Sequence, residues 1–338
     1  LFEPENHGPF PRDGLSVLVA DARRFLRTTT NRYDVIVADL FHPAQDGAGF
    51  LYTREHFDAV RQCLRDGGSV ASLRGIAYRD NNGKAIMNER SAAIAPLDDL
   101  PIPARHLFPA YFENDMSVYR DGFCQHSPAF HMHTSRGCPF QCNFCDRIHV
   151  LFADNRQRFF SPGRVVQEML DVKAKGAREI YFDDDNFTSN KAHVIALCDE
   201  IVRRGVDLPW SAMCDAIVLT PDLLRKMSAS RCIGIKFGLD SSDTKVLHTI
   251  NKPLRLENLE RIVETAKSLR IKTHASVVLG LSGETNETLH NTFAYVCALD
   301  IDSIQFSLAT PLPGTPMYRD LVLAGDLTAS GWSEFDGA

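Results

Sequence analysis

The feature that most constrains the fold is a regular alternation of strand-like and helix-like segments after residue 129. The strand candidates are short apolar runs, and they span residues 129–134, 179–183, 210–214, 233–239, 273–279 and 303–308. Between them lie segments with apolar residues at helical spacing, such as Leu259, Ile262 and Val263. Strands that alternate with helices form parallel sheets. Because a closed eight-unit barrel needs about 250 residues, we expect a partial (β/α)6 TIM-like barrel.

Two of the helices have clear start signals. Ser161 and Thr220 are each followed directly by a proline. A Ser or Thr hydroxyl caps a free N–H group at a helix start, and proline fits the first turn because it has no N–H to leave unpaired. The sequence therefore predicts helices that begin at Pro162 and Pro221.

The first 72 residues predict a smaller α/β segment. Its strand-like runs lie at residues 15–20, 33–38 and 69–72. Three strands are about half of a doubly wound domain, so we expect a truncated Rossmann-like unit. We divide the chain into this segment (1–72), a proline-containing linker (73–128), the barrel (129–320) and a truncated C-terminal extension (321–338). A sequence that runs from Leu1 to Ala338 without a closing element is expected to be a fragment or a partial gene product.

Composition argues against several classes of protein. Lys and Arg total 37 against 43 Asp and Glu, a formal net charge of −6 that does not suit a nucleic-acid binder relying on bulk positive charge. No apolar run reaches the roughly 18 residues of a membrane span, and no secretory signal is visible. The nine cysteines are an odd, scattered set, unlike a secreted disulfide framework. We therefore expect a cytoplasmic protein.

Three of the cysteines lie in one short loop. Cys138, Cys142 and Cys145 follow the first barrel strand, at the edge where such barrels place their chemistry. A structural zinc site takes four ligands, and Cys124 or His149 could complete one here. Cys142 and Cys145 alone have the spacing of a dithiol redox pair. The interpretation we favour is an iron–sulfur cubane held by three thiolates, with one iron open to a further ligand.

This C-x3-C-x2-C loop after the first strand of a partial barrel resembles that of the radical SAM superfamily. The resemblance covers residues 130–318, and the cysteine loop is its most specific part. It implies that the three cysteines bind a [4Fe–4S] cluster, whose open iron is chelated by S-adenosylmethionine. One electron then cleaves S-adenosylmethionine to methionine and a 5′-deoxyadenosyl radical, which abstracts a substrate hydrogen. Phe144 matches the aromatic position near the adenine.

The end of the second barrel strand matches the same superfamily less specifically. Residues 182–187 stand where the family has backbone groups that hold the methionyl amino group. The resemblance implies cofactor contacts for Asp183, Asp184, Asp185 and Asn186. The alternatives are a solvated acidic turn or a calcium loop. A calcium loop does not fit, because the twelfth position from Asp183 is Val194 rather than a bidentate Glu.

Two later strand ends complete the set of candidate cofactor-binding residues. Gly238 and Asp240 match a strand end that usually carries a Glu near the cofactor. Gly280 lies in a later loop of the same pattern. Asp240 is one methylene shorter than Glu, so a structural role is the alternative for it. Glycines let a backbone approach a ligand closely, but tight turns require them as well.

Within the superfamily, the barrel resembles the group that has an N-terminal cobalamin-binding domain. Residues 75–79 and 97–105 resemble the connection between that domain and the barrel. The sequence has no D-x-H-x-x-G motif to offer a histidine to cobalt, because the spacing from Asp39 to His42 is wrong. We therefore do not expect this chain to bind cobalamin tightly.

Residues 1–72 instead resemble the later half of a spermidine synthase-like aminopropyltransferase. Asp21 matches the acidic strand end that faces the adenine, and Asp39 matches the catalytic Asp. His42 stands where that family has a second acid, and the glycine-rich nucleoside loop is missing from the sequence. We therefore expect no aminopropyl transfer by this segment alone. A fusion or assembly artefact is the alternative to a functional segment.

Together these features predict a cytoplasmic radical SAM enzyme, a transferase whose candidate reactions include methyl transfer. One alternative is an aminopropyltransferase fragment that acts through Asp39. Another is a non-catalytic iron–sulfur or metal–thiolate protein. The resemblance implies a small-molecule or lipid-like substrate and a flavodoxin- or ferredoxin-type reductant. We expect neither a nucleic-acid partner nor a membrane span.

Overall fold

The computed structural model describes residues 122–151 and 156–329, and before them residues 71, 77–79, 82, 84–89, 96–103 and 105. The chain divides into two compact units, Leu1–Ala93 with Pro103–Tyr111, and Ile94–Ile102 with Phe112–Ala338. In the first unit, strands β1 (Ala77–Arg79) and β2 (Ala85–Met87) form an antiparallel hairpin. The α/β segment predicted for residues 1–72 lies outside the described residues, apart from Ala71.

The second unit is built on a six-stranded sheet. Its strands are β3 (Ala129–Met132), β6 (Glu179–Phe182), β7 (Trp210–Cys214), β8 (Cys232–Asp240), β9 (Lys272–Leu279) and β10 (Ser303–Leu308). They are parallel and follow the order β10-β9-β8-β7-β6-β3. Two short strands, β4 (Ser135–Arg136) and β5 (Arg158–Phe159), pair separately. All six predicted barrel strands are present, and within the described residues β3 and β10 are the two edges, so the barrel is partial as predicted.

Helices follow the strands. They are α1 (Pro162–Ala174), α2 (Lys191–Arg203), α3 (Pro221–Ala229), α4 (Thr244–Thr249), α5 (Leu256–Ser268), α6 (Asn286–Ala298) and α7 (Pro316–Ala324). The two predicted starts are confirmed, because the hydroxyls of Ser161 and Thr220 accept the N–H groups of Arg164 and Leu223. Among the described helices, none has the length and apolar character needed to cross a bilayer.

The apolar core lies between the sheet and the helices. On β8, the alternate residues Ile235, Phe237 and Leu239 are fully buried. Leu259 and Ile262 of α5 are fully buried as well, and α3 and α5 contact β8 and β9, respectively. Because strand side chains alternate between the two faces, the remaining positions of the strands form an inner wall of the barrel.

This inner wall carries polar and aromatic side chains. The rings of His131 and Tyr181 are edge to face, with centroids 5.2 Å apart, and Lys236 Nζ lies 5.0 Å from the centre of the Tyr181 ring. Phe123, which precedes β3, lies at the amino-terminal end of the wall. A Cβ atom added to Gly234 would lie 2.7 Å from the Phe123 ring. The glycine thus leaves the space that the Phe123 ring fills at the start of β8.

A buried carboxylate holds the segment before β3 against the same end of the barrel. Glu179 is fully buried, and its Oε2 accepts the backbone N–H groups of Gln125 and His126, each at 2.7 Å. Its Oε1 accepts the hydroxyl of Ser211 at 2.6 Å. Because all three partners donate, an acceptor-only side chain suits this position.

We expect Glu179→Ala to lower the free energy of unfolding by about 3 kcal/mol or more, because it leaves two backbone N–H groups and a hydroxyl without their acceptor. Glu179→Gln should cost about 1 kcal/mol, since the Ser211 hydroxyl can rotate to accept from the new amide. Urea unfolding followed by circular dichroism measures both values. A Glu179→Ala variant as stable as the wild type would refute the role of this carboxylate.

Candidate functional site

The three cysteines lie in one loop at the carboxyl edge of the sheet. The loop begins after β4 and ends at a short π-helix, Arg147–Leu151. Cys138, Cys142 and Cys145 are all half-buried free thiols. The backbone N–H of Cys145 also bonds to the carbonyl of Cys142 at 3.2 Å.

Of the two residues considered as a fourth zinc ligand, Cys124 lies away from the loop and His149 contacts the loop backbone. Cys124 packs with Ala129 and Tyr181 near the amino-terminal end of the sheet, whereas the cysteine loop follows its carboxyl end. The His149 Nε2 atom lies 3.1 Å from the carbonyl oxygen of Cys142. Within the described ranges, no three His, Cys, Asp or Glu side chains are grouped closely enough to hold a single metal ion.

Burial keeps the loop thiols protonated when no metal is bound. It raises the pKa of Cys138 to about 11 and the pKa of Cys142 to about 12. Burial also raises the pKa of Cys145. The positive charge of Lys252 opposes the effect at Cys142. Since the thiolate is the metal-binding form, metal binding at this loop must release protons.

Asn186 places an amide group beside the Cys138 thiol, and Asn143 follows Cys142 in the loop. The Asn186 Nδ2 atom lies 3.8 Å from the sulfur of Cys138. The Oδ1 atoms of Asn186 and Asn143 are buried and have no hydrogen-bond partner within the described part of the chain. Buried polar atoms are normally paired, so these two oxygens indicate a space that a polar ligand completes. With three soft sulfur donors beside them, the residues present fit an iron–sulfur cluster that also carries a polar ligand.

Asp184 joins the ends of β3 and β6. Its carboxylate accepts hydrogen bonds from the backbone N–H and hydroxyl of Thr134 and from the hydroxyl of Ser135. Burial raises the pKa of Asp184 to about 7, and these hydrogen bonds act against the rise. The side chain therefore positions the start of the loop. The predicted cofactor contact of Asp184 stays a prediction and concerns its backbone.

Asp185 joins the two ends of the cysteine loop. Its Oδ2 accepts the backbone N–H of Gly137 at 2.9 Å, and its Oδ1 lies 3.7 Å from Nε of Arg147. Gly137 has a φ of +90°, and a Cβ atom there would lie 2.6 Å from the carbonyl oxygen of Arg156. Only glycine therefore fits the position where this loop begins.

The candidate residue Asp240 lies in a buried ion pair that the sequence did not reveal. Asp240 ends β8 after a β-bulge, with a φ of +63°. Its carboxylate bonds to the ammonium of Lys252, which also donates to the carbonyl of Gly238 at 2.8 Å, and both charged side chains are only 6% exposed. Burial lowers the pKa of Lys252, but the charges of Asp240 and Asp215 outweigh it and raise that pKa overall. The lysine is therefore a fixed cation beside Cys142.

The other candidate residues are distributed around the same edge. Asp183 lies 3.5 Å from Nδ1 of His131, on the inner wall. Phe144 is half-buried in the cysteine loop. Gly280 follows β9 with a φ of +84°, and its N–H donates to Glu284. Cofactor binding by these residues stays a prediction. Asp39 lies outside the described residues.

Comparison with protein families gives two matches. Residues 132–296 match the radical SAM superfamily, and residues 2–77 match the spermine/spermidine synthase domain. The first match contains the cysteine loop and strands β6 to β9. Both resemblances drawn from the sequence are therefore confirmed.

Two curated relatives are methyltransferases. An uncharacterized methyltransferase of Pyrococcus horikoshii is 31% identical over 291 residues, which are 86% of this chain and 60% of the relative. The cytidylyl-2-hydroxyethylphosphonate methyltransferase of Streptomyces wedmorensis is 27% identical, over 82% of this chain and 55% of the relative. The chain thus spans little more than half the length of these relatives.

The fold agrees with a solved structure of the same superfamily. The radical S-adenosylmethionine methyltransferase TsrM of Kitasatospora setae, with cobalamin and a [4Fe–4S] cluster bound, aligns with a TM-score of 0.63 and 22% identity. The alignment covers 82% of this chain and 53% of TsrM. Residues 132–296, which contain the cysteine loop, are therefore a radical SAM domain.

Proposed function

We propose that this chain binds a [4Fe–4S] cluster through Cys138, Cys142 and Cys145 and uses it to cleave S-adenosylmethionine and start radical chemistry. The observation that carries the proposal is the placement of three thiols in one loop at the carboxyl edge of a partial barrel. When bound, the cluster offers one iron to S-adenosylmethionine and supplies the electron that breaks its carbon–sulfur bond.

The chain's own residues hold the loop for this purpose. Asp184 fixes the residues that lead into the loop, and Asp185 holds the two ends together. The Asn186 amide lies within 3.8 Å of the Cys138 sulfur. Such an N–H group stabilises negative charge on a thiolate.

A positive charge beside the loop also stabilises negative charge on a thiolate. Lys252 is anchored to Asp240 and Gly238 and lies near Cys142. A buried cation acts strongly on neighbouring charges because little water screens it. It therefore favours the thiolate form of Cys142 and offsets part of the negative charge that a cluster with three thiolates carries.

Methyl transfer is the reaction we favour, since the relatives from Pyrococcus horikoshii and Streptomyces wedmorensis are named methyltransferases. Because the radical-forming cleavage leaves the methyl group on methionine, a second molecule of S-adenosylmethionine is the methyl donor. We assign the substrate to the space lined by the inner wall, where His131, Tyr181 and Lys236 lie. The proposed substrate is a small molecule or the polar part of a lipid-like molecule. A flavodoxin- or ferredoxin-type protein is the proposed reductant. The free thiols in the described residues fit a reducing cytoplasm, which we propose as the location.

We do not propose aminopropyl transfer. Its candidate base, Asp39, lies in the part of the chain that the structure does not describe. The family match over residues 2–77 is independent of the barrel, and the methyltransferase relatives favour a function in the barrel.

We expect Cys142→Ala to abolish cluster binding, because the loop offers no further cysteine. Wild type and variant are reconstituted anaerobically. Iron and sulfide are then counted, and 5′-deoxyadenosine is measured after adding dithionite and S-adenosylmethionine. The controls are Cys198→Ala in α2 and Cys297→Ala in α6, which should keep about four irons. A Cys142→Ala variant that keeps about four irons and still forms 5′-deoxyadenosine would contradict the proposal.

We also expect no tight binding of cobalamin, because the sequence has no D-x-H-x-x-G motif. Equilibrium dialysis of the purified chain against hydroxocobalamin measures this directly. The expected result is no saturable binding at micromolar concentrations. Stoichiometric binding in that range would show the expectation wrong and would make cobalamin part of the proposed methyl transfer.

A further inference from the structure

The segment directly after α4, residues 250–252, contains a rare backbone conformation. We call this segment the latch. Asn251 has a φ of +59°, which non-glycine residues rarely adopt and which Asn tolerates better than most. The N–H of Asn251 bonds to the carbonyl of His248 at 3.0 Å, and the N–H of Lys252 bonds to that of Leu247 at 2.8 Å. The end of α4 therefore fixes the direction in which the latch points.

The latch contacts the middle of the cysteine loop. The side-chain Nδ2 of Asn251 donates to the carbonyl oxygen of Gln141 at 2.9 Å. The carbonyl oxygen of Ile250 accepts the backbone N–H of Asn143 at 3.0 Å. Gln141 and Asn143 are the two neighbours of Cys142, so the latch holds the chain on both sides of this thiol.

The other two cysteines are positioned by a different element. Asp185, at the end of β6, bonds to Gly137 and lies beside Arg147, which are close in sequence to Cys138 and Cys145. The middle of the loop is held instead by the latch and, through the carbonyl of Asn143, by the first turn of α7. The position of the second thiol relative to the other two therefore depends on contacts separate from those of Asp185.

The hydrogen bond between Asn251 and Gln141 is exposed, so its removal can be tested with little change in global stability. Asn251 and Gln141 are both exposed, and a single neutral hydrogen bond at such a place contributes little to the free energy of unfolding. Loss of this hydrogen bond frees Gln141, on one side of Cys142, while Asn143 on the other side stays bonded to Ile250 and Met317. The residue after Asn251, Lys252, is the cation that acts on the same thiol.

We propose that Asn251 is a positioning residue for Cys142: its side-chain amide holds the Gln141 carbonyl so that the second thiol is presented to the iron–sulfur cluster together with the other two. This inference rests on the proposed function, since it assigns the cluster as the ligand of the loop. Asn251 does not touch the cluster. It acts through the backbone of the loop.

Two variants change the side-chain amide of Asn251 and still allow its positive φ. Asn251→Gly keeps the positive φ accessible and removes the amide. Asn251→Asp keeps the shape and replaces the donor by an acceptor that faces the Gln141 carbonyl. The matched control is Asn258→Ala, because the Asn258 amide also donates to backbone carbonyls, those of Ala216 and Leu219, but not in the cysteine loop.

The first measurement uses the protein without iron. Hydrogen exchange in peptides that cover residues 138–147 should accelerate by about fivefold in Asn251→Gly, the size expected for one lost neutral hydrogen bond. The melting temperature should change little. Asn258→Ala should leave exchange in these peptides as it is in the wild type.

The second measurement uses the reconstituted protein. Iron release to a chelator should accelerate by about fivefold in Asn251→Gly and by more in Asn251→Asp, where the carboxylate repels the carbonyl. The electron paramagnetic resonance signal of the reduced cluster should also shift. Asn258→Ala should match the wild type in both readouts, even if its melting temperature falls further.

The outcomes distinguish the two proposals. A wild type that takes up no iron would overturn the proposed function, and the positioning role with it. The positioning role alone would be overturned if the wild type binds iron and both Asn251 variants show the same rate of iron release and the same spectrum as the wild type. Equal acceleration in Asn258→Ala would overturn it as well, because the effect would then be one of general stability.

Discussion

The geometry of the site depends on the contact between Asp184 and the residues that follow β3. A carboxylate taken out of water is costly unless donors surround it, and here Thr134 and Ser135 provide them. The contact fixes the carboxyl end of β6 against that of its neighbour β3. The cysteine loop begins within a few residues of this junction, so its starting point is set by a rigid sheet rather than by the loop itself.

From that point the loop is held by several elements at once. Asp185 connects its two ends, and the latch and the first turn of α7 hold its middle. A loop held only by its ends would sample many arrangements of its thiols, and fixing them on metal binding would cost conformational entropy. Distributing the contacts over β6, the latch and α7 reduces that cost before any metal arrives.

Much of the barrel could be predicted from the sequence because its signals are local. The cap of Ser161 with Pro162 marks a helix start within two residues, and the apolar runs mark the strands. The ion pair of Lys252 with Asp240 could not be predicted, since it depends on a bulge and a positive φ at the end of β8. The contact of Asn251 with Gln141 joins residues 110 positions apart, and no local pattern reports such a pair.

The candidate site also has features that the sequence predicts and features that it does not. The spacing of Cys138, Cys142 and Cys145 predicts an iron–sulfur cluster, because the three thiols are close in sequence and follow the first barrel strand. The sequence predicts that the acidic residues after β6 contact a cofactor, and that contact stays a prediction. What the structure shows is that Asp184 and Asp185 bind the loop and the residues leading into it through their side chains. The directions of the Asp184 and Asp185 side chains depend on how neighbouring elements pack. The sequence of one strand end does not contain that information.

The position of Phe123 has a consequence for the depth of the site. Its ring fills the space beside Gly234 at the end of the barrel remote from the cysteines. A molecule that lies along the barrel axis therefore meets this ring at its deep end. One aromatic side chain thus limits how far from the thiols such a molecule extends beside β8.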